Sequence, residues 1–248
     1  MCIRDSWWSA DWQYRKAINI TGGNETLNNF IIFLKVDYDS DMQSDLKEAL
    51  GTGNCWPTND CKVKDTAMVL LALDYIGEDT ESIESWLLNQ TRAPTDLIWY
   101  LQIDQTGSAD KTTCTVEIKN VTSTITIGSD KKIKGSTGSC LSSANDDYWL
   151  EINPNCFNEP IDISCDDDFV TSLIYKQRGD ETIYISALTH AGIVGQTTTE
   201  EVNSLCFKLG SVCDYEGSLW ATLALDKVGR DTDSFIPYLI SLAGDNTR

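Results

Sequence analysis

Nine cysteines are the residues of this 248-residue chain with the clearest chemistry. Thiols either oxidise to disulfides or bind soft metal ions such as Zn²⁺, and zinc sites commonly use a Cys-x-x-Cys spacing. No such pair occurs, and the single histidine, His190, argues against a mixed Cys/His zinc site. Without Cys2, an even set of eight remains, which predicts a disulfide framework formed outside the cytoplasm. The eight are Cys55, Cys61, Cys114, Cys140, Cys156, Cys165, Cys206 and Cys213.

Distance along the chain suggests which cysteines pair. Near neighbours are the simplest partners, because a short loop costs little to close. The expected pairs are Cys55–Cys61, Cys206–Cys213, Cys156–Cys165 and, by elimination, Cys114–Cys140. Eight cysteines allow roughly a hundred connectivities, so the spacing leaves other pairings open.

Four Asn-x-Thr sequons agree with an extracytoplasmic location, since this motif is the acceptor for N-linked glycans. Each is weak evidence by itself, because the motif arises often by chance in a chain rich in Asn and Thr. The four acceptor asparagines are Asn19, Asn24, Asn89 and Asn120.

Two further groups could do chemistry. Asp166, Asp167 and Asp168 could bind Ca²⁺, which prefers clustered carboxylate oxygens and would be the only cofactor. A calcium loop spaces its ligands around a glycine turn, so a solvated acidic turn is the favoured interpretation. His190 lies in a predicted strand with no nucleophile motif beside it, which argues against a catalytic role.

The composition narrows the class of partner. The formal net charge is −19, from 38 acidic and 19 basic residues. This charge repels phosphate backbones and disfavours nucleic acid as a ligand. No apolar run approaches the ~18 residues that a membrane span needs. The expected partners are therefore surface proteins or glycans.

An internal repeat defines the helical elements. LALDYIGEDT at 71–80 recurs as LALDKVGRDT at 223–232, and the same offset places Cys61 on Cys213. Each copy predicts two helices. In the first copy, Gly77 ends the first helix in the left-handed conformation, and Asp79, Thr80 or Ser82 caps the second. A fixed offset of this kind indicates one duplicated supersecondary unit.

The segment VKDTAMVLLALDYIGEDTESIESWLLNQ resembles a repeat of the prenyltransferase and terpenoid-cyclase α/α-toroid superfamily. The resemblance covers roughly residues 55–92 and 206–245, and implies outer and inner helices that alternate around a barrel. The acidic motif of the cyclases and the thioester motif of complement-like domains do not occur. The resemblance therefore implies a fold and no activity.

Residues 97–195 follow a different pattern. Short runs rich in β-branched and aromatic residues, such as TCTVEIKN and STITIGSD, alternate with Gly, Ser, Asn and Asp. This pattern predicts an antiparallel β-sandwich of about seven strands, inserted between the two helical copies.

Residues 7–50 form a third region of predicted strands, after a leader at 1–6 that resembles the short artefactual leader of many translated metagenomic fragments. The region resembles the start of a lectin-like β domain of unknown function from prokaryotic surface proteins. Trp8 and Trp12 could stack on a sugar, although aromatic residues that close a core are the simpler interpretation. The residues that carry this resemblance are Trp8, Trp12, Tyr14, Arg15, Lys16 and the run from Asn29 to Val36.

The sequence thus predicts an α+β fold in which toroid-type helical hairpins at 51–96 and 196–248 are interrupted by a β-sandwich-like insertion. The predicted function is that of a secreted or cell-surface structural or interaction protein of a prokaryote, a non-catalytic fragment of a larger protein. Two alternatives remain open: a glycan-binding adhesion module, and a divergent enzyme of the toroid superfamily.

Overall fold

A computed structural model describes residues 53–107 and 110–243. The leader, the region 7–50, Trp8, Trp12, Asn19 and Asn24 lie outside the described residues. Strands make up 38% and helices 25% of the part that is described. None of the described helices is long and apolar enough to cross a bilayer.

The chain runs from two helices through a series of strands to two further helices. The α-helices are α1 (Val63–Tyr75), α2 (Glu81–Leu88), α3 (Tyr215–Lys227) and α4 (Ile236–Ala243), with short 3-10 helices at Pro154–Cys156 and Asp233–Phe235. The strands are β1 (Thr91–Arg92), β2 (Leu97–Gln105), β3 (Lys111–Ile118), β4 (Val121–Gly128), β5 (Ile133–Gly135), β6 (Leu141–Ala144), β7 (Trp149–Ile152), β8 (Ile161–Cys165), β9 (Phe169–Gln177), β10 (Tyr184–Gly192), β11 (Thr197–Glu200), β12 (Cys206–Leu209) and β13 (Val212–Cys213).

Two five-stranded antiparallel sheets enclose the larger core. Their strand orders are β10-β9-β2-β7-β6 and β11-β8-β3-β4-β5. Alternate residues point inward, as on β3, where Cys114, Val116 and Ile118 are buried and the residues between them are not. This alternation is typical of sheets with one packed and one solvated face. The predicted β-sandwich-like arrangement is confirmed, with ten strands, β2 to β11, in place of about seven.

The ends of the two longer helices follow the sequence repeat. Gly77 follows α1 at φ +74°, and Gly229 follows α3 at φ +83°. The amide of Glu78 donates to the Leu73 carbonyl at 3.0 Å, and its counterpart Arg230 donates to Leu225 at 2.9 Å. Both ends are Schellman caps, which glycine favours because it has no Cβ to clash at positive φ.

The α/α-toroid arrangement that the sequence resemblance implied is wrong. The equivalent helices α1 and α3 pack against each other, and Lys64 of one copy contacts its repeat counterpart Glu216 at 2.5 Å. Both copies fill one apolar cluster, in which Leu70, Leu225 and Phe207 are fully buried. The two copies therefore face each other around a shared core and do not alternate around a ring.

A three-stranded sheet, β1-β12-β13, lies beside this helical core. The Thr66 hydroxyl accepts a hydrogen bond from the Trp56 amide at 2.9 Å, and its counterpart Ser218 accepts one from the Phe207 amide at 2.8 Å. The duplicated hydroxyls thus give hydrogen-bond partners to two backbone amides, one partly buried and one buried, which would cost stability if they were unpaired.

Four disulfides join the eight predicted cysteines, but two of the expected pairs are wrong. The local bridges Cys55–Cys61 and Cys206–Cys213 are present, whereas Cys114 pairs with Cys165 and Cys140 with Cys156. The reason is strand register: Cys114 on β3 lies directly opposite Cys165 on β8. The Cys140 carbonyl accepts from the Asn153 amide at 2.8 Å, which brings Cys140 beside the 3-10 turn that carries Cys156.

Helix α4 packs on the sandwich core through Tyr238, which is 2% exposed. Burial raises the pKa of this phenol to about 12, and the nearby carboxylates of Asp96 and Asp214 contribute in the same direction. The contact is therefore strongest while the phenol is neutral.

We expect ionisation of Tyr238 to lower the free energy of unfolding by up to about 2 kcal/mol as the pH rises from 10 to 12. The unfolded chain loses this proton near pH 10, while the folded chain holds it to about pH 12, so ionisation favours unfolding. Urea denaturation at several pH values measures the slope of the free energy of unfolding against pH. Tyr238→Phe should flatten it, and an unchanged slope in this variant would exclude Tyr238 as its source.

Candidate functional site

A partly buried polar cluster that contains His190 lies where the two sheets meet. Nδ1 of His190, on β10, lies 2.8 Å from Oε1 of Glu200 on β11. The hydroxyl of Thr171, which lies opposite His190 on β9, donates to the same oxygen at 2.6 Å. The Thr198 hydroxyl is 3.0 Å from that of Thr171.

Local geometry explains why these side chains meet. Strand β10 belongs to one sheet and β11 to the other, and a turn closed by the Gln196 amide and the Ile193 carbonyl at 2.9 Å joins them. On β11, Thr198 and Glu200 are buried while Thr197 and Thr199 are exposed, so the alternation points the carboxyl group inward. Residues from both sheets therefore converge on one buried carboxylate.

The arrangement restricts the chemistry that the cluster can perform. A carboxylate accepts hydrogen bonds, so Nδ1 of His190 donates to Glu200, and Nε2 is the unprotonated nitrogen of a side chain that is 40% exposed. An imidazole oriented in this way could act as a general base. The hydroxyl nearest the pair belongs to Thr171, which is fully buried and out of reach of a substrate. The geometry supports a cross-sheet connection more directly than catalysis.

We expect Thr171→Val to lower the free energy of unfolding by about 1–3 kcal/mol, because it removes a donor to a buried carboxylate. Thr199→Val is the matched control: its hydroxyl bonds Asp162 at 2.6 Å on the exposed face, and its loss should cost about 0.5 kcal/mol or less. Chemical denaturation measures both variants. Equal effects would show that the buried cluster contributes nothing particular.

Sequence reasoning noted His190 but missed Glu200, Thr171 and Thr198. The alternation of exposed and buried residues in TTTE, at Thr197–Glu200, could have indicated part of this cluster, since a strand places Thr198 and Glu200 on one face. The partners of Glu200 depend on how β9 and β10 lie against β11, which no local pattern encodes.

The acidic triplet has structural partners. Asp166 accepts from the Thr113 amide at 2.7 Å, and Asp167 accepts from the Gln105 side chain at 3.1 Å. The Asp168 carbonyl accepts from the amide of Thr106 at 2.9 Å. Within the described ranges, no group of three or more His, Cys, Asp or Glu side chains is placed to hold a metal ion. The triplet thus connects the turn between β8 and β9 to the end of β2 and to β3.

Two of the four sequons fall in the described residues, and both asparagines are exposed. Asn89 is the C-terminal cap of α2. Asn120 lies with Lys119 in the two-residue turn between β3 and β4, at φ 60° and 53° respectively. Positive φ at both positions is typical of a type I′ hairpin turn, in which Asn is favoured.

Comparison of the chain with protein-family models, with curated proteins and with solved structures found no significant match. The interpretation of function therefore depends on the chain's own residues.

Proposed function

We propose that this chain is an extracytoplasmic, disulfide-stabilised structural or interaction protein without catalytic activity, secreted or displayed on a cell surface. The observation that carries the proposal is the set of four disulfides, which uses every cysteine of the described residues. Thiols are kept reduced in the cytosol, so such a framework forms and persists in an oxidising compartment.

The distribution of the bridges supports this proposal. One bridge precedes each of the helices α1 and α3, one joins adjacent strands of a sheet, and one joins Cys140, just before β6, to the 3-10 turn after β7. The helical part and the β-sandwich of the described fold therefore each contain two bridges. The net charge of −19 favours a well-hydrated surface that resists aggregation, as expected for a chain exposed to bulk solvent.

Peptide mapping under non-reducing conditions tests the proposal, on protein secreted through an oxidising compartment and on protein made in a reducing cytosol. We expect the four bridges in the first sample, and a lower yield of folded protein in the second. Free thiols in the secreted protein would contradict the proposal, as would equal stability of the reduced chain.

A further inference from the structure

Strand β10 is an edge strand with an apolar surface. It is the terminal strand of its sheet, so one side of its backbone is unpaired among the described strands. Ile185 is 67% exposed and Leu188 is 65% exposed, and the turn that follows presents Ile193 and Val194 to solvent. Apolar side chains at an open edge indicate an interaction surface.

The charge pattern makes this edge distinctive. Residues 182–199 contain no Asp, Glu, Lys or Arg, in a chain whose net charge is −19. Natural edge strands are usually protected by charged residues, proline or short length. β10 contains no charged residue or proline and is 9 residues long. Its one protective feature is a bulge between Ile185 and Thr189.

The other edges of the two sheets are better protected. The remaining edge strands, β5, β6 and β11, have 3, 4 and 4 residues, whereas β10 has 9. At about 3.4 Å per residue, β10 is roughly 30 Å long, and Thr189–Gly192 is its longest stretch in continuous register with β9. It is the one long edge that the described sheets leave open.

We infer that β10 pairs with β10 of a second copy of this chain, antiparallel and about a two-fold axis. A second copy carries the same net charge of −19, so two copies can approach closely only through a segment that is free of carboxylates on both sides. Strand β10 and the turn after it form such a segment, and the apolar side chains there are exposed. A two-fold contact uses the same strand from both copies and closes at a dimer, which leaves no free edge for further growth. This inference does not depend on the compartment of the protein.

Analytical ultracentrifugation of the full chain over a range of protein and salt concentrations tests the inference. We expect a reversible monomer–dimer equilibrium that tightens as salt is raised, because salt screens repulsion between the two acidic bodies. Ile185→Glu and Leu188→Glu should each raise the dimer Kd at least tenfold. Leu209→Glu is the matched control, since Leu209 is 61% exposed on β12, and it should leave the Kd within twofold.

Circular dichroism establishes that each variant is folded before its Kd is compared, and the high exposure of the three positions favours this outcome. A monomer at every protein concentration would overturn the inference. A dimer that the β10 variants do not weaken, or that Leu209→Glu weakens equally, would overturn it as well. Assembly beyond two copies would exclude the closed two-fold contact.

Discussion

Replacement of both Cys114 and Cys165 by alanine is expected to lower the free energy of unfolding by about 4 kcal/mol. The bridge spans 51 residues, so its loss returns much conformational entropy to the unfolded chain. Both cysteines are buried and lie opposite each other on adjacent strands at the centre of one sheet. This pair should therefore be the most important of the four bridges for stability.

The Cys140–Cys156 bridge provides the control. It spans 16 residues, and the same entropy relation gives about 3 kcal/mol for its removal. Denaturant unfolding of the two double-alanine variants measures the order of the effects. The opposite order would show that loop length does not determine the contribution of these bridges.

Phe207→Ala is expected to lower the free energy of unfolding by about 3–5 kcal/mol, the range for truncation of a buried aromatic side chain. Phe207 is fully buried, and its ring stacks on that of Phe235 with 4.7 Å between centroids. It belongs to the cluster that both helical copies share, so the cavity weakens both copies at once. A single, cooperative shift of the transition is the expected signature.

Leu209→Ala, two residues further along β12, is the matched control, because Leu209 is largely exposed. Its expected effect is about 0.5 kcal/mol or less. If Phe207→Ala costs less than about 1 kcal/mol, or unfolds only one helical copy, the shared core is not the basis of stability in this part of the protein.

Local structure could be predicted because its determinants lie within a few residues. The repeat placed the end of α1 close to where it is observed, and Gly77 does adopt the left-handed conformation. Alternation in the central region predicted strands on the same physical basis. Strands β5, β6 and β11, of three or four residues, escaped because so short a run barely shows a period.

The arrangement of the two copies could not be predicted in the same way. An apolar helix face requires a packing partner but does not specify which, so the segment around α1 is compatible with a ring of hairpins and with a face-to-face pair. Contact between α1 and α3 selects the second arrangement, and the bridge between Lys64 and Glu216 at 2.5 Å belongs to that contact.

By itself, the sequence determined the periodicities, the glycine caps, the duplication and the number of cysteines available for oxidation, because each is a property of neighbouring residues or of composition. Only the tertiary structure decided that Cys114 meets Cys165 and that His190 meets Glu200. The physical reason is that both contacts depend on strand register and on the packing of two sheets. These are set by the sum of many weak long-range contacts rather than by any residue pattern along the chain.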